Sequence, residues 1–167
     1  MIPAHRQRNY LQSALYVIVA GICATVLLER LLAYAEGAEK YAMEATLSRL
    51  HSALYARIAY HAMRQEFAAI EALSGASPFV AADVTASNYL GEFDGVPVEA
   101  SGGRWLFDRG RRELVYLPRY SRFLEAGVER VAPAHLRFRV RLAESPPKSY
   151  TGVALEPVEA YRWTPPL

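Results

Sequence analysis

The sequence predicts an α+β protein in which a long N-terminal helix, membrane-spanning and then amphipathic, packs against a small antiparallel sheet. Three observations predict it. Leu11 to Leu28 (LQSALYVIVAGICATVLL) carries no formal charge. No Pro or Gly separates Leu28 from Ala35, and the segment beyond repeats its apolar residues at helical spacing. Past Gly102-Gly103 the apolar period changes to two, the signature of strands.

As a helix rising about 1.5 Å per residue, residues 11–28 cover roughly 27 Å, close to the ~30 Å hydrocarbon layer of a bilayer. Leu15, Val17, Ile18, Val19, Ile22, Val26, Leu27 and Leu28 favour insertion by roughly 0.3 to 0.6 kcal/mol each. Together they outweigh Gln12, Ser13 and Thr25. Arg6 and Arg8 precede the run, with Tyr10 and Tyr16 near that end. Positive residues stay cytoplasmic, so residues 1–10 are expected inside and the C-terminal domain periplasmic or otherwise extracytoplasmic, although Arg30 and Lys40 dilute the bias. The expected location is a single pass of the inner (cytoplasmic) membrane. Ala14, Ala20, Gly21 and Ala24 would let a neighbouring helix approach closely within the bilayer. Cys23, the only cysteine, lies in the span and reads as a small packing residue.

A cleaved signal peptide is the rival reading, because Ala33-Tyr34-Ala35 before Glu36 has the small-x-small form of a cleavage site. Against it, the apolar run exceeds the usual 7–15 residues of a signal core. Cleavage would also need an extended chain where no helix breaker stands.

Residues 29–74 read as the amphipathic continuation of the helix. Met43, Leu47, Leu50, Leu54 and Ile58 fall on one face, and Tyr60, Met63, Phe67 and Ile70 continue on a slightly rotated one, to about Leu73. Ser74-Gly75-Ala76-Ser77-Pro78 stops the helix, since Gly suits a left-handed cap and Pro cannot continue. Counted from Leu11, such a rod would measure about 95 Å. Residues 75–103 read as a connecting loop with room for a short helix, broken by Gly91, Gly95, Pro97 and Gly102-Gly103. Residues 104–167 read as the sheet and a C-terminal tail. Arg104–Asp108 and Glu113–Leu117 flank a turn at Arg109-Gly110, where Trp105 and Phe107 share one face, as do Leu114 and Tyr116. Leu136, Phe138, Val140 and Leu142 alternate with Arg137, Arg139 and Arg141, so one face is buried and the other wet. Tyr161–Trp163 suits an edge strand. A sheet laid on the outer half of the helix lets each element bury its apolar face.

This plan resembles that of type IV pilins and type II secretion pseudopilins. The stretch from Tyr34-Ala35-Glu36-Gly37-Ala38-Glu39-Lys40 to Leu54 is similar to the pilin helix just beyond the membrane. Asn88-Tyr89-Leu90-Gly91, then Gly103-Arg104-Trp105-Leu106-Phe107-Asp108 and Glu113-Leu114-Val115-Tyr116, are similar to that family's W-x-[YF]-D … G-x-L-V-Y hairpin. The family's leader ends in Gly, and its mature helix carries a Glu at the fifth position. Here Met1 to Ser13 holds no Gly, and Gln12 falls near the glutamate's place when Tyr34 is matched to the family's helical tyrosine. The resemblance therefore implies a divergent relative lacking the prepilin-peptidase site, in an accessory or structural role beside a type II secretion or type IV pilus-related machine. Its implied partners are other pilin-like subunits or inner-membrane platform proteins, with membrane lipid around the span.

Candidate chemistry is sparse. The sequence contains no Gly-x-Ser-x-Gly, His-Glu-x-x-His or phosphate-cradling Gly loop, so a non-enzymatic protein without cofactor, metal or small-molecule substrate is expected. His51 and His61 lie about 280° apart around a helix, and Glu44 with His51 is too small a ligand set for zinc. His135 and His5 stand alone. Asp94 and Asp108, each in a Phe-Asp pair, read as turn residues bonding their own backbone. Residues 143–167 offer only Glu144, Glu156 and Glu159 to a calcium ion. Residues 104–141 hold ten arginines against four acidic residues, a net +6. Within them, Arg137, Arg139 and Arg141 would project together roughly 7 Å apart. Either they form a solvated face blunting a sheet edge, or they dock an acidic subunit, lipid headgroups or an anionic envelope polymer. Nucleic acid is not expected for an external domain. Two other readings of the whole chain stay open: a bitopic envelope scaffold or sensor module, and a secreted small domain cleaved after Ala35.

Overall fold

In the computed structural model the chain is α+β, and the structure describes residues 4–97, 100–126, 135–145 and 149–166. Helix α1 runs unbroken from Ala4 to Met63, 60 residues or about 90 Å. Every side chain from Gln12 to Leu32 is exposed, among them Leu15, Val17, Ile18, Val19, Ile22, Val26, Leu27 and Leu28. A helix that carries no charge from Gln12 to Leu28 and is uncovered by its own chain suits a lipid environment. This one helix is long and apolar enough to cross a membrane.

From Ala33 onward α1 buries a single stripe: Ala33, Glu36, Met43, Leu50, Leu54 and Ile58, with Leu47 partly covered. The helical ridge expected from the sequence is thus the surface on which the domain rests. The rod ends earlier than its apolar pattern suggests, at Met63 rather than near Leu73. Gln65 adopts a left-handed φ of 57°, and the N–H groups of Arg64, Gln65 and Glu66 donate back to His61, Ala62 and His61. The Glu66 carboxylate secures this turn by accepting from Arg64 Nε at 2.8 Å and meeting His61 Nδ1 at 2.7 Å. Helix α2 (Phe67–Leu73) then folds back, and its Ile70 and Leu73 pack with Leu54 and Ile58. Tyr60, Met63 and Phe67 are accordingly exposed instead of continuing a buried face.

The region expected as a connecting loop holds two elements. Helix α3 (Pro78–Ala81) opens on proline, whose fixed φ suits a first helical position, and sends Phe79 into the core. Strand β1 (Tyr89–Phe93) pairs in parallel with β2 (Arg104–Asp108), bulging at Gly91 with φ 107°. The sheet is therefore mixed, not purely antiparallel. The cause lies in Leu106, Val115 and Leu117, which make the far face of the hairpin apolar as well. Leu90, Phe93, Val96 and Ala100 cover that face and bring β1 to the edge.

Strand β3 (Glu113–Leu117) completes the expected hairpin, with Trp105 opposite Tyr116 and Phe107 opposite Leu114. After β4 (Leu124–Ala126), β5 (Leu136–Ser145) and β6 (Ser149–Pro157) extend the five-stranded sheet in the order β1-β2-β3-β5-β6. The short β7 (Tyr161–Trp163) pairs with β4 in a separate two-stranded sheet. Met43, Leu50, Phe79, Trp105, Leu114, Tyr116, Leu136, Phe138 and Trp163 form the main core between helix and sheet. The domain is ordered along α1. Glu36 and Glu39 meet the loop after β3, His51 Nε2 meets Val153 O at 2.8 Å, and Tyr150 reaches Glu71 on α2 at the far pole.

Candidate functional site

The junction between the bare helix and the domain is built from two carboxyl groups one turn apart. Residues three positions apart share a helix face, so Glu36 and Glu39 both point at the end of the domain nearest the bare helix. Glu36 is 2% exposed, and its Oε1 accepts from Phe123 N at 2.9 Å and from Trp163 Nε1 at 2.8 Å. Glu39 Oε1 accepts from the Tyr116 hydroxyl at 2.8 Å and from Arg119 N at 2.7 Å, and its Oε2 accepts from Tyr120 N at 2.9 Å. Backbone donors leaving a sheet must find acceptors, and Pro118 ends the β3 ladder here. The helix supplies those acceptors. Gly102 makes the packing possible: a Cβ there would stand 2.5 Å from the Arg119 Cα. Burial, and then donation to Glu39, holds the Tyr116 hydroxyl well above the usual phenol range.

The structure does bring Arg137, Arg139 and Arg141 to one face, but it gives each a carboxylate. Arg139 binds Glu113 Oε1 at 2.7 Å, Arg137 lies 3.8 Å from Glu113 Oε2, and Arg141 binds Glu156 Oε2 at 3.0 Å. Glu113 is buried, so removing its partners would strand a charge away from water. The strand carrying these arginines lies between β3 and β6, so they do not blunt a sheet edge. Arg141 and part of Arg139 remain open to solvent.

The remaining candidates are separate. His51 holds the β6 backbone, and His61 serves the α1–α2 turn. His135, half-buried, has its pKa lowered by desolvation. Asp108 Oδ1 accepts from Arg111 N at 3.2 Å, the turn role expected for it, whereas Asp94 pairs with Arg109 at 3.1 Å. Of the glutamates considered for calcium, Glu156 is taken by Arg141, Glu159 is exposed and the Glu144 side chain lies outside the described residues. Among the described residues no three His, Cys, Asp or Glu side chains converge as a metal ion requires. Ala14, Ala20, Gly21 and Ala24 lie on the uncovered helix, with open space where a Cβ of Gly21 would point.

Sequence reasoning missed Glu36 and Glu39. Their only signal was position, two acids on the face that carries Met43 and Leu50. Compared with known proteins, the chain matches no family model, no curated protein and no solved structure.

Proposed function

We propose that this chain is a non-enzymatic, single-pass membrane protein of the pilin-like kind, with its N-terminus inside. It would be an accessory or structural component of a type II secretion or type IV pilus-related envelope machine. One observation carries the reading: a single continuous helix is bare for 21 residues from Gln12 to Leu32 and then, from Ala33, is the spine of an α+β domain. Twenty-one helical residues measure about 31 Å, the thickness of a hydrocarbon layer. Ala33, buried within that helix, supports an anchor over a signal peptide cut after Ala35. In this reading Ala14, Ala20, Gly21 and Ala24 pack laterally against a neighbouring helix, and Arg139 and Arg141 contribute polar contacts to an acidic partner.

The parallel pairing of β1 favours a second reading, a bitopic envelope scaffold or sensor module, because the pilin resemblance implies antiparallel strands. Cross-linking in native membranes followed by mass spectrometry separates the two. Pilin-like subunits or platform proteins among the partners support the first; a partner set without them overturns it. The mature N-terminus, read in the same samples, must precede Gln12, and a chain beginning at Glu36 would reject the anchor.

A further inference from the structure

The loop between β3 and β4 is tied to α1 at both ends, by Glu39 to Arg119 N and Tyr120 N and by Glu36 to Phe123 N. Measured along the axis from the apolar stretch ending between Leu28 and Leu32, Glu36 stands about 6–12 Å out and Glu39 about 10–16 Å. A headgroup layer is about 5–8 Å deep on each side of the hydrocarbon. The surface potential of anionic lipid extends roughly a further 8–10 Å. The loop is thus held over the headgroups of whatever bilayer α1 crosses.

It carries two exposed arginines, Arg119 and Arg122. Unlike Arg137, Arg139 and Arg141, neither forms an ion pair among the described residues. The Arg119 guanidinium lies over Gly103, 3.6 Å from where its Cβ would be, and that of Arg122 lies 5.5 Å from the Phe123 ring centroid. The nearby acids do not reach these two arginines as ion pairs among the described residues. Glu36 and Glu39 are committed to the loop backbone, Glu125 lies in register with Arg162 across the β4–β7 pair, and Glu29 is followed in sequence by Arg30.

We propose that Arg119 and Arg122, positioned by Glu36 and Glu39, form a basic arm that binds the phosphates of anionic phospholipid headgroups in the bilayer spanned by α1. The inference rests on α1 being a membrane span. Binding there would hold the domain down on the surface and fix the tilt of the helix beneath it.

The test uses the full chain with Cys23→Ala and a fluorophore on Ser121→Cys. It is reconstituted in phosphatidylcholine vesicles with and without phosphatidylglycerol, and quenching by headgroup nitroxide lipid reports the docked fraction. Phosphatidylglycerol should raise quenching, and R119Q/R122Q should lower the docked-to-undocked ratio about thirtyfold, near fivefold for each charge. R122Q alone, at an exposed side chain lying over the Phe123 ring, should give the single fivefold step even if the double variant misfolds. Equal quenching in both lipids, or an unchanged ratio in R122Q, overturns the arm while leaving the span intact. Release of the chain by alkaline carbonate overturns the span and the arm together.

Discussion

Replacing Glu36 by alanine should loosen the end of the domain nearest the bare helix. The side chain is 2% exposed, and one oxygen receives both Phe123 N and Trp163 Nε1. Alanine leaves one buried and one part-buried donor without an acceptor, each costing about 1–3 kcal/mol, so the expected loss is about 4 kcal/mol. Glutamine keeps an oxygen where Oε1 stands and should cost about 1 kcal/mol. Urea unfolding in detergent micelles, followed by tryptophan fluorescence, reads this directly because Trp163 is one of the two tryptophans. With a urea slope of about 2 kcal/mol/M, Glu36→Ala should lower the midpoint by about 2 M and Glu36→Gln by about 0.5 M. A midpoint for Glu36→Ala within about 0.5 M of the parent would show that water takes over the two donors. Equal losses for Ala and Gln would show that charge, not acceptor position, holds the loop.

Other expectations follow from the same geometry. Leu54→Ala, at a fully buried site, should cost about 2–5 kcal/mol in the same urea assay, whereas Tyr55→Ala on the exposed face should stay within about 0.5 kcal/mol. Because the folded Tyr116 keeps its proton above the ordinary 10.0, the unfolded chain ionises first as pH rises. Stability present below pH 10 should therefore fall above it, and Tyr116→Phe should flatten that alkaline loss in a pH series of unfolding curves. Gln65→Gly should stabilise by about 0.5–1 kcal/mol, since glycine adopts φ 57° without strain, whereas Gln65→Val should destabilise.

The spine and the sheet's inner face were legible because burial there follows a period. Met43, Leu50, Leu54 and Ile58 repeat at helical spacing, and Leu136, Phe138 and Val140 alternate, and all of them are in the core. The break at Gln65 was not legible, because apolar spacing runs straight through it. A left-handed residue without glycine is decided by the Glu66 contacts to His61 and Arg64, which no local pattern announces. Strand β1 was hidden for a related reason. Its Gly91 and the glycines after it read as loop, and its pairing depends on the apolar far face of a hairpin remote in sequence. The arginine face was found, but not Glu113 beneath it, since a buried acid in a strand looks like any exposed one until its neighbours are known.

The junction explains why a bare helix and a folded domain can share one rod. A helix leaving lipid as an isolated rod would be free to swing relative to anything loosely attached to it. Here five hydrogen bonds accepted by Glu36 and Glu39 fasten β3, the loop after it and the last strand to the first turns beyond the bare segment. The same turns also bury Ala33 and pack Gly37 against Pro165. A tilt or rotation of the bare helix should therefore be passed to the sheet as a rigid movement, not absorbed in a linker. Two substitutions separate this coupling from mere stability. Glu39→Gln keeps one acceptor oxygen but turns the other into a donor facing Tyr120 N or Arg119 N, so it should lower stability while the bonds to Glu36 still hold the domain orientation. A helix-breaking Tyr34→Pro, at an exposed position beside the first buried turn, should release the orientation while the core from Met43 onward still folds. Fluorescence anisotropy of a label on Ser121→Cys (Cys23→Ala) in vesicles would report the difference, and equal anisotropy for Tyr34→Pro and its parent would refute the rigid junction.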